Sequence, residues 1–245
     1  MDCTKNLIEY YEELFLVSEE QKKFFEEMAA SFPSPAKILR AGCGTGALEH
    51  YLSKLGHDVT GLETSKDLLE SANLKRRSQL MAIRFFLMSS SEMTKFLGKN
   101  FYNILSCLNG RITFLRTKET IQNFFNDAKL LLSENGKLII QVPNIDFFFK
   151  DNIKLVNLPV LESIRSKAFT SLYHEPSGIY TATLKIETGS GKLLPVLERA
   201  EVYPLKKSEI IQMGKAAGFT KIEFYSDFNK KTLTEDSPII LAVLS

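Results

Sequence analysis

Short apolar runs alternate with amphipathic stretches along most of the chain, an order typical of an α/β protein. Seven apolar runs predict strands, and they lie at residues 38–39, 57–63, 84–91, 101–110, 137–142, 220–225 and 238–244. Apolar residues at helical spacing predict helices at residues 47–55, 66–72, 118–132 and 206–217. We expect the last two strands to form an antiparallel hairpin that closes the sheet.

Two segments depart from this alternation. Residues 7–16 and 19–30 form amphipathic stretches, with Ser18 placed to cap the second and Gln21 to complete a capping box. In residues 155–204, β-branched and aromatic residues alternate between glycine turns, which predicts two to four antiparallel strands. The chain therefore divides into a helical cover (1–33), an α/β domain (34–150 with 205–245) and an inserted β lid (151–204).

The strongest chemical signal is the glycine-rich turn after the first predicted strand. Gly42, Gly44 and Gly46 lie between that strand and a predicted helix, where glycine allows positive φ and close approach of a ligand to the backbone. The next strand ends in Glu63, which follows Gly42 by 63 − 42 = 21 positions. This is the spacing at which an acidic residue meets ribose hydroxyls in nucleotide-binding α/β sheets. The alternative is a solvated glutamate at the end of an edge strand.

Composition narrows the class of protein. The 245 residues are 44% apolar with a net charge of +2 from interspersed acids and bases, which predicts a globular protein without a nucleic-acid-binding surface. We expect neither a membrane span nor a secretory leader. The three cysteines have no metal-ligand spacing, so we expect no metal and a reducing cytoplasm. Nothing in the sequence indicates an oligomeric state.

The segments Ala41-Gly-Cys-Gly-Thr-Gly46 and Gly56-His-Asp-Val-Thr-Gly-Leu-Glu63 resemble those of class I S-adenosylmethionine-dependent methyltransferases of the small-molecule type. The resemblance extends to the C-terminal hairpin. It implies a Rossmann-like, seven-stranded, mostly parallel sheet with helices on both faces, and an antiparallel insertion over the acceptor site. It also implies S-adenosylmethionine as cofactor, S-adenosylhomocysteine as product and a small-molecule methyl acceptor as partner.

The resemblance also assigns candidate site residues. Residues 42–46 would line the methionine moiety, Glu63 would bind the ribose, and an N-terminal segment with Tyr10 and Tyr11 would close over the cofactor. The full set of candidate cofactor-binding residues is Arg40, Ala41, Gly42, Cys43, Gly44, Gly46, Glu63, Thr64, Ser89, Ser90, Cys107, Leu108, Asn109 and Tyr11. Two interpretations of the serines fit: hydroxyls near the adenine, or a polar loop that caps a helix.

Three positions lack the carboxylate that the family usually carries, namely Arg40, Ser89 and Asn103. Arg40 would face the sulfonium, turn to the methionine carboxylate, or form a salt bridge elsewhere. Methyl transfer needs mainly positioning, so we expect no obligatory catalytic triad. Tyr173 and His174 are the candidates for orienting or deprotonating an acceptor, and a surface turn is the alternative interpretation.

Three functions compete at this point. The first is methyl transfer to a small molecule, and the second is a methyltransferase fold that binds ligands without turnover. The third is a nicotinamide-dependent oxidoreductase, because Gly42, Gly44 and Ala47 also satisfy the relaxed dinucleotide fingerprint. The predicted lid, the closing hairpin and the lack of a recognisable hydride-transfer pair argue against the third function.

Overall fold

The computed structural model describes residues 5–76, 82–150 and 153–245. Its strands are β1 (Lys37–Ala41), β2 (Asp58–Glu63), β3 (Ile83–Leu87), β4 (Tyr102–Cys107), β5 (Leu132–Pro143), β6 (Leu155–Asn157), β7 (Leu161–Glu162), β8 (Ser166–His174), β9 (Tyr180–Thr188), β10 (Leu193–Val202), β11 (Ile222–Tyr225) and β12 (Ile239–Leu244). Its α-helices are α1 (Lys5–Ile8), α2 (Tyr11–Leu14), α3 (Glu19–Ala30), α4 (Ala47–Lys54), α5 (Lys66–Arg76), α6 (Met93–Phe96), α7 (Lys118–Leu131), α8 (Ile145–Phe148) and α9 (Lys207–Ala216). Short 3₁₀ helices span Ser90–Glu92 and Arg111–Leu115.

The main sheet has seven strands in the order β11-β12-β5-β4-β1-β2-β3. Strands β1 to β5 pair in parallel, while β12 runs antiparallel to both β5 and β11. The strand order reverses at β1, which lies between β2 and β4, so a crevice opens at the carboxyl end of β1. The predicted Rossmann-like sheet and its closing hairpin are confirmed.

Helices cover both faces of this sheet, as predicted. On one face, Phe124 and Phe125 of α7 join a buried cluster with residues of β4, β5 and β12. On the other face, Phe24 and Phe25 of α3 pack into a second cluster with α4 and β1. The central strands are buried on both sides, which explains why their sequences are continuous apolar runs rather than alternating ones. The resulting scaffold holds the carboxyl ends of β1, β2 and β4 rigidly.

The second sheet has five strands, in the order β10-β9-β8-β6 with β7 paired to β8. The sequence predicted two to four, because β6 and β7 are three and two residues long and show no alternation. The N-terminal segment packs against this sheet through Leu7, Tyr11 and Leu14. Their i, i+4, i+7 spacing keeps them on one face, although the predicted helix is interrupted between α1 and α2.

Three local predictions can be compared with the structure. Ser18 caps α3 as expected, since its hydroxyl accepts a hydrogen bond from the Gln21 amide at 3.2 Å. Gly136 follows the predicted helix at residues 118–132 and is the residue type expected in a left-handed conformation after a helix, but the positive φ belongs to Asn135, at 60°. Asparagine tolerates this region through its short polar side chain. In the part of the chain that the structure describes, no helix is both long and apolar enough to cross a membrane.

Candidate active site

The glycine turn lies at the carboxyl end of β1, in the crevice where the strand order reverses. Gly42, Gly44 and Gly46 have φ values of 76°, 61° and 72°, which explains why each position is glycine. The amides of Gly42 and Cys43 both donate to the Leu62 carbonyl of β2, at 2.8 and 2.9 Å. Ala41, the last residue of β1, leads directly into this turn. The turn is therefore fastened to the neighbouring strand and opens towards the start of α4.

Glu63 ends β2 beside the glycine turn, as its spacing in the sequence predicted. Its carboxylate accepts hydrogen bonds from the amides of Gly44 at 2.9 Å, Thr64 at 2.8 Å and Ser65 at 3.0 Å. The residue is only 3% exposed. Three backbone donors hold the carboxylate in one orientation, and hydrogen bonds of this kind to an ionised group are strong. A carboxylate oxygen still has lone pairs available for ligand hydroxyls.

Two side chains cover the glycine turn from the side of the N-terminal segment. A Cβ atom at Gly44 would overlap the hydroxyl of Tyr11, and one at Gly42 would lie 2.9 Å from Cγ of Arg111. The structure thus brings the predicted residue Tyr11 to the turn. Tyr10 points elsewhere, with its ring against the guanidinium of Arg165.

Arg111 is a cation on this side of the turn. Burial acts to lower the pKa of Arg111, but the neighbouring Tyr11 and Glu63 outweigh burial and raise this pKa above its ordinary value. Arg111 is therefore charged throughout the physiological pH range.

Arg40 forms a salt bridge, which is the third of the possibilities that the sequence left open. One terminal nitrogen of its guanidinium lies 3.4 Å from a carboxylate oxygen of Glu49 on α4, and the two side chains are 6% and 1% exposed. The neighbouring helix therefore supplies a carboxylate to the cation at the end of β1. Burial raises the pKa of Glu49, and the attraction of Arg40 offsets this rise only in part.

The two serines follow β3 at the same edge of the sheet. Met88 donates its amide to the Glu63 carbonyl at 3.0 Å, which places the exit from β3 next to the end of β2. The Ser89 hydroxyl accepts from the Ser91 amide at 3.3 Å and caps the 3₁₀ helix that begins at Ser90. The capping interpretation is thus observed, while contact of these hydroxyls with an adenine remains a prediction.

The residues at the end of β4 do not share one environment. Cys107 and Leu108 are buried in the two core clusters, and burial raises the pKa of the Cys107 thiol to about 12. Asn109 is exposed with a φ of 55°, and its amide donates to the side chain of Gln141 at 3.1 Å. Only Asn109 of the three therefore presents its side chain to the crevice. Cys107 is a packed apolar residue.

Asn103 lies at the opposite end of β4 from the crevice. Its side-chain oxygen accepts from the Lys37 amide at 2.8 Å, and its amide nitrogen donates to the Ser133 hydroxyl at 3.1 Å. Asn103 thus joins the start of β1 to the entry of β5. The expectation that this missing carboxylate affects cofactor binding does not fit its position.

Tyr173 and His174 end β8 in the second sheet, and neither belongs to the residues that line the cavity described below. The His174 ring stacks on Tyr180 at 4.4 Å between centroids, and the Tyr173 ring lies 5.0 Å from the guanidinium carbon of Arg199. The geometry gives no support to a catalytic role for either residue.

A cavity of about 400 Å³ lies between the main sheet and the second sheet. It is large enough for a small organic ligand. Its walls are mostly apolar and come from α2, β5, β8, β9 and β10. Its polar lining side chains include Gln21, Arg40, Asn109, Arg111 and Gln141. Tyr11 also lines the cavity, as do Cys43 of the glycine turn and Ala47 at the start of α4, so the cavity reaches the turn.

Sequence reasoning missed two residues that shape this site. They are Arg111, which follows the end of β4, and Glu49 of α4. A cation directly after the end of a parallel strand is a usable signal, because such positions face the crevice. The pairing of Glu49 with Arg40 depends on how α4 packs on β1, and no sequence spacing indicates it.

Known proteins resemble this chain in sequence and in fold. Residues 38–136 match the family model described as a methyltransferase domain. A protein of Geobacillus sp. (strain WCH70) that is named as a methyltransferase is 28% identical over 210 residues, covering 84% of this chain and 83% of that protein.

Among solved structures, an S-adenosylmethionine-dependent methyltransferase from Clostridium acetobutylicum superimposes with a TM-score of 0.79. It is 15% identical, and the match covers 100% of this chain and 99% of that one. An amino pentose methyltransferase from Micromonospora echinaspora, solved with bound S-adenosylmethionine, gives a TM-score of 0.61 at 17% identity. That match covers 93% of this chain and 92% of the other. The resemblance seen in the sequence is thereby confirmed: residues 38–136 match a methyltransferase domain, and the chain has the fold of S-adenosylmethionine-dependent methyltransferases.

Proposed function

We propose that this protein transfers a methyl group from S-adenosylmethionine to a small-molecule acceptor that occupies the cavity under the second sheet. The observation that carries the proposal is the glycine turn with the fixed carboxylate of Glu63 at its mouth. The cavity next to this turn supports a small acceptor, because its volume of about 400 Å³ suits a ligand of modest size. The fold neighbour that acts on an amino pentose is consistent with this class of acceptor.

The residues present fit the cofactor. The glycine turn keeps the backbone at positions 42, 44 and 46 free of Cβ atoms, with positive φ at each, and Glu63 offers acceptor lone pairs for ribose hydroxyls. The start of α4 directs backbone N–H groups towards the same crevice, which favours a carboxylate there. We propose that these residues, together with Tyr11, Thr64, Ser89 and Ser90, hold the cofactor.

The chain contributes to the reaction chiefly by positioning. When bound, the cofactor supplies an electrophilic methyl group on a sulfonium. Positioning reacting atoms in near-attack geometry can lower a barrier by roughly 7–11 kcal/mol. Here the apolar cavity walls exclude water from the acceptor, while Asn109 and Gln141 present amide groups that orient it. We further propose that residues 151–204 act as a lid, since β8, β9 and β10 supply one wall of the cavity.

The test is a calorimetric titration of the purified protein with S-adenosylhomocysteine, followed by methyl transfer from S-adenosylmethionine to a panel of amines, hydroxyl compounds and carboxylates. We expect one-to-one binding, and we expect Glu63→Gln to weaken it by about ten-fold or more through loss of a charge-assisted hydrogen bond. Glu70→Gln on α5 is the matched control, because this glutamate is 63% exposed and pairs with the likewise exposed Lys66 at 3.7 Å.

Two results would contradict the proposal in different ways. Binding that Glu63→Gln leaves unchanged would show that the cofactor does not use the glycine crevice. Saturable binding without turnover of any acceptor would favour the second function considered above, a methyltransferase fold that binds ligands only.

A further inference from the structure

The charges on the cavity wall are unusually one-sided. In the described part of the chain, the cavity is lined by two charged residues, Arg40 and Arg111, and by no carboxylate. Glu49 already pairs with Arg40 at 3.4 Å, so this cation is neutralised from the side of α4. Arg111 is thus the charge that an occupant of the cavity would meet.

Arg111 is not neutralised in the same way. Tyr11 is its neighbour at the glycine turn, and none of the ion pairs found among the described residues includes Arg111. Glu63 lies near enough to interact with Arg111 electrostatically, but no salt bridge joins the two side chains. Because a guanidinium carries five donors, most of its hydrogen-bonding capacity is available to a ligand.

The surroundings make this cation selective. Leu184, Val196 and Leu197 of the second sheet belong to the cavity wall, as do Phe114 and Phe148. A cation beside such walls is poorly screened by water, so it attracts an anion more strongly and repels a second cation. An occupant with an apolar body and one anionic group would complement both features.

Extending the proposed function, we infer that the methyl acceptor is an amphipathic carboxylate whose anionic group binds Arg111 while its apolar body lies under β8, β9 and β10. The same guanidinium chemistry suits the carboxylate of the cofactor's methionine moiety, because Cγ of Arg111 lies over Gly42. The acceptor is favoured because Arg111 lines the cavity together with the apolar residues Phe114, Leu184 and Val196, beside which the body of an acceptor would lie. The experiment below separates the two sources of a carboxylate.

The probes are phenylacetate and phenethylamine, which share a phenyl ring and differ in the sign of the charge. Each is titrated into the full-length protein by ligand-observed NMR, with and without saturating S-adenosylhomocysteine. We expect phenylacetate to bind and phenethylamine to bind at least ten-fold more weakly. Arg111→Met should weaken phenylacetate binding by about ten-fold or more, the loss typical of a hydrogen bond to a charged group, while Arg111→Lys should retain part of it. Arg116→Gln is the matched control, because this arginine is exposed and outside the cavity.

The variants are also titrated with S-adenosylhomocysteine and with 5′-methylthioadenosine, which lacks the amino acid part. Unchanged affinity of Arg111→Met for both would support the acceptor assignment. Weakened binding of S-adenosylhomocysteine alone would overturn it, since Arg111 would then hold the methionine carboxylate. Equal binding of the two phenyl probes, or phenylacetate binding that Arg111→Met leaves unchanged, would also overturn the acceptor assignment.

If the native protein binds no S-adenosylhomocysteine, the proposed function fails. The titrations of the phenyl probes without S-adenosylhomocysteine still decide whether Arg111 selects anions. Circular dichroism confirms that each variant is folded.

Discussion

Removal of the cation from the buried Arg40–Glu49 pair offers a sharp test of the electrostatics beneath the active site. In Arg40→Met, the Glu49 carboxylate loses its partner while its own side chain stays 1% exposed. At the observed 3.4 Å and an effective dielectric constant near 20, the lost attraction is about 5 kcal/mol. Loss of one partner of a buried pair is typically destabilising by about 3–5 kcal/mol. We therefore expect a loss of that size in the free energy of unfolding at pH 8.

The pH dependence has a definite sign. Burial already raises the pKa of Glu49 in the native protein, and without Arg40 the pKa rises further. Folding raises the pKa of such a carboxyl group. The group then contributes most stability at a pH below its pKa in the unfolded state, and this contribution is lost as the pH rises through its pKa in the folded state. The Arg40→Met protein should therefore be much closer to the native protein at pH 5 than at pH 8.

The assay is urea unfolding followed by circular dichroism at pH 5, 6.5 and 8, on a double-mutant cycle of Arg40→Met and Glu49→Gln. The double variant should regain most of the lost stability, because neutral side chains replace the stranded charge. Lys66→Met is the control for an exposed pair, and its cost should be about 0.5 kcal/mol or less, because both partners are more than 60% exposed. A coupling free energy below about 1 kcal/mol, or a loss in Arg40→Met that does not vary with pH, would refute the reasoning.

Three further predictions concern the core and the turn. Gly46→Ala should lower the free energy of unfolding by about 3 kcal/mol, since a left-handed φ and overlap with an aromatic ring of β3 both oppose a side chain there. Gly178 has a similar φ, but a Cβ atom there would meet open space, so Gly178→Ala should lower the free energy of unfolding by only about 1 kcal/mol in urea unfolding. Equal losses of stability in the two variants would contradict the packing argument. Burial raises the pKa of the Cys43 and Cys107 thiols, so peptide mapping after iodoacetamide treatment of native protein at pH 7.5 should find both unmodified. Partial burial lowers the pKa of His57, so the stability that this residue contributes should be lost as the pH falls below about 6.5. Between pH 7 and pH 5, the free energy of unfolding of His57→Asn should therefore fall less than that of the native protein.

The sequence by itself determined the architecture of the main sheet and the location of the crevice. Strands β1, β2, β4 and β5 are buried on both faces, so their apolar runs are distinct from the amphipathic helices between them. The glycine turn and Glu63 were equally visible, because the backbone conformation and the strand-end position each demand particular residue types. Local pattern is enough wherever a position is constrained by its own backbone or by complete burial.

Only the tertiary structure decided which charges meet at the site. Arg40 pairs with Glu49 because α4 packs on β1, and Arg111 reaches Tyr11 because the N-terminal helices rest on the second sheet. Asn103 shows the converse, since a position that suggested a cofactor contact lies at the far end of its strand and joins Lys37 to Ser133. Side-chain partners depend on how separate elements pack, and the energy of a charge depends on its burial. Neither quantity is encoded in the spacing of residues along the chain.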